Sequence, residues 1–357
     1  MFSTIVFVLI LSILILIHEF GHYIAAKKNG VYVEEFGFGL PPRAWGKKIG
    51  ETIYSLNWLP FGGFVKLLGE EEHEMVGKKL PKNLQNRTFA SKKPWQKAMI
   101  ITAGVFMNFM LGWAIISYLF TQGVPVPSDK LIISQVVENS PAKLAGLQKN
   151  DLLVNFFQNG YEIPVKNNED FVNNAKKFAG KEISLRIKRD DQYKYILVTP
   201  RINPPKGQGP LGIVISSYEI KKYSIYEAPS KGLIESYEIT KSIVKEFAKT
   251  AYKFITFQKM DVEVSGPVGI AKITGDAVEV GPQAVLQLLA ILSLNLAVIN
   301  ILPFPALDGG RLVFVFYEWI FRKKANAKFE QRLNLVGFAI LLTLIVVVTI
   351  SDIIKLF

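Results

Sequence analysis

Four long apolar runs dominate this chain, and stretches of that length are at home in a lipid bilayer. They lie at about residues 3–27, 98–120, 283–302 and 333–350. Each approaches or reaches the ~20 residues that a helix needs to cross the hydrocarbon. The rest of the 357-residue sequence is polar enough to form soluble insertions. The reading is a polytopic α-helical membrane protein with four transmembrane helices. The first run lacks a positively charged start and a small-x-small cleavage site. It continues through His18 to Ala26 before meeting Lys27 and Lys28. It therefore reads as a retained spanning helix rather than a signal peptide.

The formal net charge of +12 fits membrane topology. Between Lys27 and Lys97 there are thirteen Lys and Arg against seven acidic residues, and the segment after the third run is also basic. Two spans separate these segments, so the positive-inside rule assigns both to the cytoplasm and the long insertion between them to the outside. No basic stripe interleaved with aromatics forms a recognisable nucleic-acid module, so nucleic acid is excluded as a partner. The chain has no cysteine, and its histidines stand only at positions 18, 22 and 73. Any metal must therefore rest on imidazole and carboxylate ligands.

Between the spans the patterns change. Val31 to Phe38 and Glu51 to Leu68 are β-like. The strand-like stretches of Ile53 to Leu68 flank Pro60, Gly62 and Gly63, and Trp58, Leu59 and Phe61 suit a membrane interface. This segment is expected to form a hairpin. Its edge, at Gly62, Gly63 and Val65, either pairs with an extended substrate or only anchors the loop. In the second run Gly104, Asn108 and Gly112 recur every four residues, which gives one small or polar face for close helix packing. Residues 125–203 read as a compact domain with alternating strands and a helix near EDFVNNAKKFA. A Pro/Gly-rich linker follows, and residues 230–257 have amphipathic spacing that suits either the membrane surface or packing on the soluble domain.

HEFGH, residues 18–22, ends the first span. Histidines four apart share one face of a helix, so His18 and His22 can hold one zinc ion while Glu19 stands beside it. Such a glutamate can take a proton from water and pass it to a leaving amine. A charged residue at the centre of a membrane helix costs about 2.5–3.5 kcal/mol on insertion scales, so this cluster needs a functional reason. Two imidazoles leave a zinc site incomplete. His73 is one candidate third ligand, but it sits in the acidic stretch EEEHEM. Asp308, in NILPFPALDGGR at the end of the third run, is favoured because it falls on the same expected side as His18; otherwise it is a plain turn aspartate before Gly309 and Gly310.

HEFGH together with NILPFPALDGG resembles the site-2 protease family of intramembrane zinc metalloproteases, of the bacterial regulator-of-sigma-E type. EFGFGLPPR, LPFGGFVKLLGE, AGVFMNFMLG and SGPVGIAKI are similar to further family segments. ENSPAKLAGLQKNDLLVNFFQNG resembles a PDZ domain, with Asn150 where glycine is usual. The resemblance implies zinc on His18, His22 and Asp308, with Glu19 as general base. Asn300 would position substrate or stabilise the oxyanion, or else be an interhelical hydrogen-bonding asparagine. It implies a fold with an inserted α+β PDZ-like domain and a cytoplasmic membrane-associated β-hairpin. The expected divisions are 1–29, 30–97, 98–120, 125–203, 204–282, 283–310, 311–332 and 333–352. The implied partners are the lipid bilayer and single-span membrane proteins of anti-sigma-factor or signal-peptide-remnant type, cut within or near their spans. The implied location is the bacterial inner membrane, with the active site near the cytoplasmic side. The PDZ-like domain would bind peptides or act as a size filter. The alternative functions are a membrane-anchored PDZ scaffold with a vestigial metal site, and a transporter with a midplane metal, although no internal repeat supports the latter.

Overall fold

The computed structural model describes residues 2–70, 80–158, 160–165, 167–256, 258 and 265–355. Helix α1 (Phe2–Lys28) leads into strands β1 (Val33–Ile49) and β2 (Thr52–Leu67), a short helix α2 (Lys82–Gln85) and the long helix α3 (Pro94–Gln122). Then come β3 (Val124–Val136), α4 (Pro141–Leu144), β4 (Leu152–Gln158), β5 (Tyr161–Pro164), α5 (Asn168–Lys177), β6 (Ile183–Arg189), β7 (Gln192–Val198) and β8 (Ile213–Lys221). The remaining helices are α6 (Ala228–Ile255), α7 (Pro267–Val280), α8 (Pro282–Ile301), α9 (Asp308–Phe321) and α10 (Ala327–Ile354). Contacts divide the chain into an inserted unit, Phe120–Ser224, and a helical unit made of the residues on either side.

In the helical unit α1, α3, α8 and α10 are long and apolar enough to cross a membrane. Their packing depends on small residues. A Cβ on Gly21 of α1 would lie 2.3 Å from the Ala103 carbonyl oxygen, and one on Gly112 of α3 would lie 2.7 Å from Leu294 of α8. The Gly104, Asn108 and Gly112 face of α3 is buried throughout, against α1 and α8. Without a hydrophobic force between helices in lipid, such close van der Waals approach drives association. Ser293 Oγ of α8 adds a hydrogen bond to the Asn108 carbonyl at 2.7 Å. Helix α10 packs more sparsely, with only 6% of its most apolar stretch buried. It is pinned in its first half by Gly337 against Pro305 and near its C-terminal end by Asp352, whose carboxylate accepts the N–H groups of Gly266 and Gly269.

The β1–β2 sheet departs from a simple hairpin within Ile53 to Leu68. The first part of β1 lies between two stretches of β2: Phe36 is opposite both Tyr54 and Val65, and Gly37 is opposite Ser55 and Phe64. The later part of β1 folds back on β2 from Arg43↔Asn57 to Ile49↔Thr52. Gly62, at φ +88°, allows the bend that carries β2 across β1. Among the described residues no third strand pairs with this sheet, and residues 63–67 form its outer row. The sheet is fastened to α1 by Tyr23 Oη to Tyr54 Oη at 2.6 Å and by Lys27 Nζ to Glu51 at 2.6 Å.

The inserted unit has the strand order β7-β6-β4-β3-β8, with β5 added to β4. Alternation on β6 buries Ile183, Leu185 and Ile187 around Phe156, Phe171 and Leu211. Asn167 caps α5 by accepting the Asp170 N–H. Asn150 takes φ +72°, the left-handed turn geometry that asparagine tolerates. This is the α+β insertion of PDZ-like type. Strand β8 lies in a stretch read from sequence as linker, and by pairing with β3 it extends the unit to Ser224. The Pro and Gly residues at 204–210 form the connection between β7 and β8 instead.

Glu51 joins α1 to the following loop, since its carboxylate accepts from Arg87 at 2.8 Å as well as from Lys27. The Arg87 and Lys27 cations hold its pKa down to about 2 from an ordinary 4.5. A depressed carboxyl stabilises the fold fully above its unfolded pKa, and that contribution is lost as the pH falls through its folded value. Glu51→Gln should therefore lower the unfolding temperature of the detergent-solubilised protein near neutrality. The deficit should shrink between about pH 5 and about pH 2. A deficit independent of pH in a thermal-melt series would count against this coupling.

Candidate metal centre

Helical spacing places His18 and His22 one turn apart on α1, and their Nε2 atoms are 3.1 Å from each other. Asp308 Oδ2 lies 3.0 Å from His18 Nε2 and 3.2 Å from His22 Nε2. Asp308 reaches this point because the chain breaks sharply after α8. Pro303 and Pro305 interrupt the helix, Ala306 adopts φ +71°, and Asp308 opens α9. Gly309 and Gly310 are required by the same turn, since a Cβ on either would come within 2.3 Å of a carbonyl oxygen of residues 301–304. In the first turn of α9 the carboxylate also meets the positive end of the helix dipole.

These three atoms fit a shared metal ion. Tetrahedral zinc with bonds of about 2.0–2.1 Å puts neighbouring donors about 3.3 Å apart, close to the spacing seen here. Asp308 Oδ2 is buried and, among the described residues, has no polar partner other than the two imidazole nitrogens it faces, as expected of an electron pair directed at a cation shared with them. His22 Nδ1 lies 2.8 Å from the Ile100 carbonyl. An N–H there leaves Nε2 with its lone pair towards the common point. His18, His22 and Asp308 are the group among the described residues with metal-ligand spacing. His73 lies outside the described residues.

Glu19 lines a cavity of about 220 Å³ together with His22, Asp308, Phe64, Val65, Glu70 and Arg311. Gly63 is its close neighbour on β2, for a Cβ there would lie 3.6 Å from Glu19 Cγ. The outer row of β2 thus runs directly past the carboxylate. Gly62 is not part of the cavity wall; it makes the bend and faces Leu40. Asn300 brings its Nδ2 to 3.4 Å from His18 Nε2. Two neighbours went unread in the sequence. Glu70 was hidden in an acidic run, yet it forms an ion pair with Arg311 at the cavity wall. Asn108 was visible only as part of a packing stripe, and it lies 3.3 Å from His18 Nδ1.

Residues 6–344 match peptidase family M50. A Clostridium perfringens protein classed by its name with the zinc metalloproteases is 37% identical, with 96% of each chain covered. The regulator of sigma-W protease RasP of Bacillus subtilis is 30% identical, with 99% of each chain covered. The zinc metalloprotease RasP of Shouchella clausii is 31% identical over 98% of each. This similarity spans nearly the whole sequence and includes the helices that bring two imidazoles and a carboxylate together. The chain accordingly belongs to peptidase family M50, as a multi-pass membrane zinc metalloprotease.

Proposed function

We propose that this protease cleaves single-span membrane proteins within or near their transmembrane segment. The observation that carries the reading is the shared cavity, where Glu19, two of the close-set metal-ligand candidates and the outer row of β2 meet between apolar helices. A soluble endopeptidase has no need of a ligand pair on a membrane-spanning helix. In this reading His18, His22 and Asp308 hold the zinc. The ion supplies Lewis acidity towards water and the scissile carbonyl. Glu19 removes a proton from the attacking water and delivers it to the leaving amine nitrogen. Asn300, beside His18, donates its amide N–H to the substrate carbonyl as charge develops on that oxygen.

A helical substrate hides its carbonyls in intrahelical hydrogen bonds and must be drawn out to be cut. The outer row of β2, with Gly63 beside Glu19 and Val65 at the cavity, offers a template for an extended segment to add as a further strand. The bend at Gly62 sets the start of that row. The name of the Bacillus subtilis relative refers to sigma-W regulation. That supports substrates of anti-sigma-factor type for this chain, with signal-peptide remnants as the other class of short single-span substrate. The excess of Lys and Arg between Lys27 and Lys97 supports a cytoplasmic placement of the active-site end and of the β1–β2 sheet. The PDZ-like unit then faces outward from a bacterial inner membrane.

Glu19→Gln should keep one zinc per chain and lower cleavage of a model single-span substrate by ~10²–10⁴-fold, the usual contribution of a general base. Asp308→Ala should lose both zinc and activity. Metal analysis of the purified variants beside a cleavage assay checks both, and stoichiometric zinc in Asp308→Ala would remove it from the ligand set.

Val65→Pro deletes an N–H from the outer row of β2. It should reduce cleavage by about ten-fold or more, the equivalent of roughly one hydrogen bond, while zinc is retained. Substrates already loosened by helix-breaking residues should suffer equally, because they still need the edge. Full turnover by a folded Val65→Pro protein would leave the sheet as an anchor only.

Orientation is testable because the chain is free of cysteine. A cysteine at Asn168 should react with an impermeant thiol reagent added to intact cells, and one at Lys82 only after the membrane is opened. The reverse pattern would invert the topology proposed here.

A further inference from the structure

We infer that Asn108 of α3 is the positioning residue that holds the His18 imidazole in the tautomer needed to bind the metal. The inference rests on the ligand set proposed above. His18 Nε2 faces Asp308 Oδ2 at 3.0 Å and His22 Nε2 at 3.1 Å, so this nitrogen must present a lone pair. In a neutral ring the proton then sits on Nδ1 and needs an acceptor. The nearest polar group to Nδ1 is the side-chain amide of Asn108, at 3.3 Å.

That amide is fully buried, so water cannot take its place. With its nitrogen towards the ring, two donors face each other and Asn108 Oδ1 is left buried without a hydrogen bond from any described residue. Amide oxygen and nitrogen exchange places by a half-turn. The turned amide sets Oδ1 against His18 Nδ1–H and removes the conflict. Asn300 also approaches the His18 ring, at 3.4 and 3.5 Å, but it is further away and half-exposed, which leaves it available to substrate.

The neighbouring turns of α3 serve the other histidine in the same manner. Ile100 offers its carbonyl to His22 Nδ1 at 2.8 Å. Gly104, midway between Ile100 and Asn108, leaves room for both rings, since a Cβ there would lie 2.5 Å from His22 Nε2 and 2.8 Å from His18 Cε1. At four-residue intervals α3 thus supplies a carbonyl, a gap and an amide to the histidine pair. The Ser293 hydroxyl, donating to the Asn108 carbonyl, fixes this part of α3 against α8. Outer partners of this kind set ring orientation and ligand basicity.

The test compares zinc affinity, by chelator competition, in the purified full-length protein and its Asn108→Leu and Asn108→Asp variants. Leucine keeps the volume without an acceptor and should weaken zinc binding by ~10–100-fold. Aspartate accepts the same N–H and should bind zinc at least as tightly as the parent. With cobalt(II) in place of zinc, the visible absorption of the aspartate variant should keep the parent's band pattern, while that of the leucine variant should lose it. Parent-like affinity in Asn108→Leu would overturn the inference. So would a ten-fold or greater loss in Asn108→Asp, and this variant decides alone if the leucine protein does not fold. Failure of the parent to bind one zinc would instead overturn the ligand set and this inference with it.

Discussion

The close approach of α1 and α3 at Gly21 and Gly104 underlies everything else in the helical unit. Neither helix could carry a side chain at these positions without pushing the other away, by backbone contact at Gly21 and by contact with both histidine rings at Gly104. In a lipid environment this contact has no hydrophobic drive of its own and relies on dense packing and interhelical hydrogen bonds. It also brings the Ile100 carbonyl and the Asn108 amide against the imidazoles. The same geometry that joins the helices therefore also orients the candidate ligands.

Three electron-pair donors within about 3 Å of one another are unfavourable unless a cation lies between them. The fold brings them together through a costly local arrangement. The α8–α9 break contains two prolines and a residue at positive φ, and two glycines in the first turn of α9 pack on its carbonyls. Each feature is poor for helix continuation. Together they turn the chain so that Asp308 enters the site from the first turn of a new helix. The LDGG sequence is in this sense a structural device as well as a source of one carboxylate.

The β1–β2 sheet supplies the remaining wall, and its placement depends on polar ties outside the apolar core. Glu51 is shared between Lys27 and Arg87, Tyr23 meets Tyr54, and Arg311 pairs with Glu70 just beyond the last residue of β2. These ties connect α1, α9 and the loop before α3 to one sheet. They hold the outer row of β2 beside Glu19, where the edge of a sheet is otherwise a liability.

Much of this was legible from the residues alone. Apolar run length marked four spans, and the spacing within HEFGH placed two imidazoles on one helical face, because both are properties of a single segment obeying helix geometry. The absence of cysteine limited any metal to imidazole and carboxylate ligands. The α+β insertion was visible in its alternating strands. Its extent was not, since β8 becomes a strand only by pairing with β3, far from it in sequence. The expected hairpin likewise became a sheet in which β1 lies between two parts of β2, an arrangement that no local turn signal encodes. Asn108 was read as a packing residue because its periodicity says which face it shares and nothing of what it meets. Sequence by itself determined the helices, the donor types and the spacing of the histidine pair, all of which are local. Only tertiary structure decided that Asp308 joins them, that Gly63 lies against Glu19 and that Asn108 faces His18, because such meetings depend on how separate helices and strands pack.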